Sequence, residues 1–297
     1  MPSKFRLNSD NLFSREKDEE LKNPRRVIFL SVEGNVTEQQ YFRYIEFYRR
    51  KLGIESRIHV HPLCRSKNDN LCAPKDVLEL LEEYIEVRNT DSLPKRIRAL
   101  IPTVYSDEFV AQYLNDELDD EKRKDEFRCV LQEAGLDLEY EHFLSTYSGD
   151  DDVFGVVLDR DYKNHTITQL NSLIEQCRAK KYHCYLTTPL FEFWLLLHLA
   201  DVKSEYGSAL ELMRINDKVS KNHTYTSALV SKLGGHSKHI SKEIFENKYL
   251  PNVEFAINQA KTSFCTQLSD LVGNENNICG ELGTTIPELF DLLREKY

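Results

Sequence analysis

Four short apolar runs separated by helix-length stretches constrain this chain most. Residues 27–32 (VIFLSV), 57–63, 153–158 (VFGVVL) and 182–187 are strand-length and bounded by turn formers. Between and after them lie sequences with helical spacing: 38–51, 74–87, 166–180 and 191–199. Buried parallel strands read as near-continuous apolar runs, and crossover helices are what connect them. The alternation predicts an α/β fold: a mainly parallel four-stranded sheet flanked by helices. Thr37 and Gln40 have capping-box spacing, which predicts that Thr37 caps the first helix and Gln40 reaches back to it.

Carboxylates follow two of these runs. Glu33 ends the first, with Gly34 directly after it, and Asp159 and Asp161 end the third. In open α/β sheets ligands sit outside the carboxyl ends of the strands. Oxygen donors gathered there suit Mg²⁺ or Mn²⁺ together with a substrate phosphate. Gly34 would let a phosphate approach the backbone. The bland alternative is that these are solvated loop carboxylates paired with Arg160 or Lys163.

Composition narrows the class. The chain has 297 residues, 40% of them hydrophobic, and a net charge of −10. That charge argues against a non-specific nucleic-acid coating protein, since phosphate contacts demand Lys and Arg. It leaves room for a local basic face. Seven scattered cysteines without C-x-x-C spacing argue against a zinc site or a disulfide framework. No apolar run reaches the roughly 20 residues that cross a bilayer, and residues 1–26 lack a signal-peptide pattern, so a cytoplasmic protein is expected.

About sixty residues, 89–148, separate the second helix from the third strand and read as a helical insertion with a charged middle. Residues 1–24 read as a polar arm. The domain expectation is therefore an arm (1–24), an α/β domain (25–200) carrying the insertion, and a mostly helical C-terminal region (201–297).

A Glu after the first strand and a D-x-D after the third resemble the Toprim (Rossmann-like) fold. The segments VIFLSVEGNVTEQQYF, VFGVVLDRD and TTPLFEFWLLLHL, in that order, resemble more specifically the RloB family of bacterial, restriction-linked defence proteins. Weaker likeness continues through SKHISKEIF, VEFAINQAK and GTTIPELFDLL. The resemblance implies a nuclease-like activity on RNA (tRNA included) or DNA, with a companion ATPase. It implies that Glu33 is a metal ligand or general base and that Asp159 and Asp161 are metal ligands. Glu38 matches the motif's second half as a supporting residue. The chain departs from the pattern at Val32, where cysteine is common, in the longer spacing from Asp161 to His165, and in the insertion.

Other residues carry paired expectations. Glu192 either assists at the metal site or only favours the dipole of its helix. His198 is a satisfied core histidine. Lys238, in the Lys-rich stretch 231–248, contacts phosphate, with Tyr225 and Tyr249 available to stack bases. His59 and His61 share a face of a half-exposed strand. Two rival functions use the same features: a nucleotidyl- or phosphoryl-transfer enzyme built on the same carboxylates, or a non-enzymatic subunit that docks on an ATPase through the insertion.

Overall fold

The computed structural model describes residues 25–34, 36–63, 73–90, 95–114, 117–134 and 151–295. The arm at 1–24 and much of the charged part of the insertion lie outside these. The expected alternation is present: β1 (Arg26–Val32), α1 (Thr37–Phe47), β2 (Ile58–Pro62) and α2 (Pro74–Thr90) come first. After the insertion follow β3 (Val153–Asp159), α6 (Ile167–Lys180), β4 (His183–Thr188) and α7 (Phe191–Leu199).

The sheet order is β2-β1-β3-β4-β5. The first four strands pair in parallel, but a fifth, β5 (Gly283–Thr284), pairs antiparallel with β4. The expected four-stranded parallel sheet is therefore a five-stranded mixed one. Two residues carry no hydrophobic period, so β5 leaves no trace in the sequence pattern. What holds it is specific: the Thr187 and Thr284 hydroxyls hydrogen-bond at 2.8 Å, and Thr285 Oγ1 accepts from the Leu186 N–H. Gly283 passes so close to Cys265 that an added Cβ would lie 2.0 Å from its carbonyl oxygen.

β1 is buried along its whole length because both sheet faces are covered. Ile28, Leu30 and Val32 pack towards α1, α7 and the C-terminal helices. Val27 and Phe29 pack towards α2 and α6. The insertion contains α3 (Lys95–Leu100), α4 (Asp107–Leu114) and α5 (Glu121–Ala134), and α4, α5 and the turn at Ile101 and Tyr105 form a cluster of their own around Phe109, Tyr113 and Phe127.

After α7 the chain is helical apart from β5: α8 (Val202–Tyr206), α9 (Leu210–Ile215), α10 (Tyr225–Gly234), α11 (Lys242–Ile244), α12 (Val253–Ser263), α13 (Leu268–Val272) and α14 (Ile286–Leu293). α9 ends at Ile215 because Asn216 turns left-handed, with φ 49°. Its side chain then caps the next helix, accepting from the Thr226 N–H and hydroxyl at 2.9 and 2.8 Å.

Three local expectations are corrected. The first helix has no side-chain cap: its N-cap is Val36, and Thr37 lies inside it. Thr37 instead donates to the Lys238 carbonyl at 2.7 Å, and Gln40 Oε1 accepts from the Ile240 N–H at 2.7 Å. His59 and His61 are buried, 0% and 3% exposed, because Glu46 of α1 closes the sheet edge over them. Tyr249 is fully buried and cannot stack a base. His198 is a core histidine: Tyr41 shares a 3.1 Å hydrogen bond with its Nε2, and the Trp194 carbonyl meets its Nδ1 at 2.9 Å.

Candidate active site at the carboxyl ends of β1 and β3

Backbone pairing brings the first two carboxylates together. β1 and β3 pair up to Val32 and Val157, and the Glu33 N–H extends the ladder by donating to the Val157 carbonyl at 3.1 Å. Glu33 Oε2 then accepts the Asp159 N–H at 3.0 Å. Asp159 Oδ1 accepts the Phe191 N–H at 2.7 Å. That N–H is one of the unpaired donors at the start of α7, so a helix terminus holds the carboxylate in place.

The residues after β3 are tied to the turn before α7. Arg160 N–H donates to the Thr187 carbonyl at 2.8 Å, and Asp161 N–H to the Pro189 carbonyl at 3.0 Å. Alternation along the extended chain sends Arg160 away from its two aspartate neighbours. Its buried guanidinium donates to the carbonyls of His165, Val272 and Ile278. Lys163 pairs with Asp217 at 2.6 Å. Neither cation forms a direct ion pair with Asp159 or Asp161, although both lie in the field of Asp161. Asn164 Nδ2 donates to Asp161 Oδ2 at 2.7 Å.

Two further acids complete the cluster. Glu38 is 7% exposed in the first turn of α1, and its carboxylate fills the space over Gly34. A Cβ on residue 34 would lie 1.9 Å from Glu38 Oε2, so any larger residue there must displace that carboxylate. Glu192 opens α7 on the other side. Burial, and then the negative charges of Glu33, Glu38 and Glu192, push the Asp159 carboxyl well above its usual range, with the Phe191 N–H opposing. Burial also raises Glu192. Its own backbone N–H and the Lys238 and His223 charges oppose that, while Asp161 adds to it.

The cluster thus contains Glu33, Asp159 and Glu192 as expected, with Asp161 beside Glu192. Lys238 comes within electrostatic reach of Glu192 from a distant part of the chain. Sequence reasoning undervalued Glu38, whose signal was the four-residue step back to Gly34. It gave no role to His165, which is 5% exposed, with Nδ1 3.1 Å from the Asp159 carbonyl oxygen and Nε2 3.6 Å from Glu33 Oε1. It passed over His223 altogether.

Among the described residues, no three His, Cys, Asp or Glu side chains converge as a ready-made metal site. The chemistry of the donors does fit a hard divalent cation: all are carboxylates, and Asp159 lies in the field of Glu33, Glu38 and Glu192. A cavity of about 370 Å³ lined by Lys51, Leu52, Glu246 and Leu250, among others, shares no residue with the cluster.

The fold and the cluster define a class, an α/β protein with a carboxylate-lined site where its parallel strands end. Within that class the chain belongs to the RloB-like protein family, whose model matches residues 28–293. No curated protein and no solved structure matches it. No helix among the described residues is long and apolar enough to cross a membrane.

Proposed function

We propose that the chain is a metal-dependent nuclease of Toprim type, cutting phosphodiesters of RNA or DNA in a bacterial anti-phage system. One observation carries this reading: half-buried Asp159 is held among Glu33, Glu38 and Glu192, an arrangement that costs stability unless something positive occupies it. Glu33, Asp159 and Asp161 would hold Mg²⁺ or Mn²⁺. The ion would supply charge neutralisation for the phosphate and its leaving oxygen.

The chain's own residues do the rest. The Phe191 and Asp159 N–H groups fix the Asp159 and Glu33 carboxylates, so no reorganisation is needed during reaction. Lys238 receives a phosphate oxygen of the bound strand beside the scissile bond. Glu192, with its affinity for protons raised by burial, takes a proton from the attacking water as the new P–O bond forms. The proton passes to the leaving oxygen as the old P–O bond breaks, giving a phosphomonoester and a hydroxyl. The family resemblance supports the defence role, the companion ATPase and the cytoplasmic location.

The test is incubation of tRNA, single-stranded RNA and plasmid DNA with Mg²⁺, Mn²⁺ or EDTA. Cleavage should need the metal and vanish in Glu33→Ala. Undiminished metal-dependent cleavage by an Asp159→Ala, Asp161→Ala double variant would sink the reading.

A further inference from the structure

The acidic site is flanked by a segment of opposite character. Residues 217–242 contain five lysines (218, 221, 232, 238 and 242) against the single Asp217, a net charge of +4 within a chain of net −10. This segment is α10 with a hairpin before it and a strap after it, and α10 packs along α7, the helix that opens with Glu192.

Both flanks are fixed in place. In the hairpin, Lys218 bridges to Thr224, and Val219 N–H donates to the His223 carbonyl at 2.9 Å. The His223 N–H donates to Ser220 Oγ at 3.2 Å. Asp217 binds Lys163 of the D-x-D loop at 2.6 Å, which docks the hairpin on the acidic site. In the strap, Gly235 ends α10 with φ 76°, and buried His236 shares a hydrogen bond with the Tyr249 hydroxyl. The Thr37 and Gln40 bonds then fasten the backbone of residues 238–240 to α1. The side chains of Lys218, Lys221, Lys238 and His239 stay exposed.

We propose that residues 217–242 form a track for single-stranded nucleic acid, with His223 and Lys238 gripping backbone phosphates on either side of the scissile one. The proposal deepens the nuclease reading and rests on it. Ten helical residues separate the hairpin from the strap, about 15 Å of axial length. At about 3.4 Å per stacked nucleotide, that spans roughly four nucleotides. The Lys163–Asp217 ion pair ties the hairpin to the D-x-D loop, and the Thr37 bond ties the Lys238 backbone to the first turn of α1, which carries Glu38, so a strand held at both ends passes the carboxylates. Lys218, Lys221 and His239 extend the grip outward, and half-buried Tyr225 at the start of α10 offers a ring to a base.

The experiment is fluorescence anisotropy on the full chain. Labelled single-stranded oligonucleotides of roughly two, four and eight nucleotides would be titrated with EDTA present and over a range of salt. Affinity should climb steeply from two to four nucleotides and little beyond. A His223→Ala, Lys238→Ala pair should weaken binding about tenfold or more and lower the salt slope by about 0.7 per lost phosphate contact. Lys218→Ala with Lys221→Ala, both at exposed sites, should give a smaller loss in the same direction without touching the fold. Unchanged affinity and slope in the His223, Lys238 variant would overturn the track, as would no binding by the wild type. Duplex competing as well as single strand would overturn its single-strand character. Asp159→Asn separates the two ideas: if it binds normally and does not cut, both stand. If it still cuts, the nuclease reading fails whatever the oligonucleotides show.

Discussion

Glu46 and Asp159 are both carboxylates at the borders of the same sheet, and their surroundings drive them apart. Glu46 lies at the β2 edge with every oxygen engaged. Oε1 accepts from Arg49 at 3.0 Å and meets His59 Nδ1 at 2.9 Å, while Oε2 accepts the Val60 N–H at 2.9 Å. Burial alone would raise its pKa, but the His59 bond and the charges of His59, His61 and Arg49 lower it to about 2. Asp159 has one N–H from α7 and three acidic neighbours, and it moves the other way. The first group seals a strand edge that would otherwise offer a free N–H to another chain. The second concentrates negative charge where the fold gains nothing from it. The two carboxylates differ above all in company: Glu46 is buried among cations and donors, Asp159 half-buried among acids.

The comparison breaks if the two carboxylates respond alike to neutralisation. Glu46→Gln should cost the most, about 3 kcal/mol in urea unfolding, because Arg49 and His59 lose a buried counter-charge. A loss under about 1 kcal/mol would mean that the edge does not need the ion pair. Asp159→Asn should act oppositely. It should raise stability by on the order of 1 kcal/mol through relief of repulsion and cut cleavage by about a hundredfold. A destabilised Asp159→Asn protein would make Asp159 structural.

Acid sharpens the contrast. Glu46 has a folded-state pKa below its unfolded value of 4.5, so its contribution is complete above about pH 4.5 and drains away as pH falls towards 2. Wild type should therefore lose stability steeply over that window, and Glu46→Gln should show a flatter profile in acid titrations followed by circular dichroism. A smaller effect is expected from Gly34→Ala, which must push the Glu38 carboxylate aside. Metal affinity by titration calorimetry should drop several-fold while the fold persists. Thr37→Val should be mildest: it removes one hydrogen bond to the Lys238 carbonyl, about 1 kcal/mol, and weakens substrate affinity more than turnover.

Much of this contrast was legible in the chain. β1 and β3 announce themselves because strands buried on both faces are almost wholly apolar, and the acids at their ends stand out against that background. β5 was hidden because two residues fixed by hydroxyl pairing and a tight glycine contact have no period. Thr37 and Gln40 misled because their spacing fits a local cap, while the groups they bind lie about two hundred residues further on. His59 and His61 looked half-exposed because alternation marks a strand's two faces, and only Glu46 of α1 and Arg49 just after it decide that the edge is closed. Glu38 and His165 were marked only through the family pattern, and His223 by no run or motif, since what places each at the site is contact through space.

Arg160 has a consequence in time. Its guanidinium holds the D-x-D loop by binding the carbonyls of Val272 and Ile278, the latter 118 positions later in the chain. At about 5–20 residues per second, roughly 6–24 s of synthesis separate the aspartates from their anchor. A nascent chain still on the ribosome therefore carries every carboxylate of the cluster but not the clasp that shapes their loop. On the nuclease reading proposed above, the loop that carries Asp159 and Asp161 gains its clasp only after those 118 residues have been added.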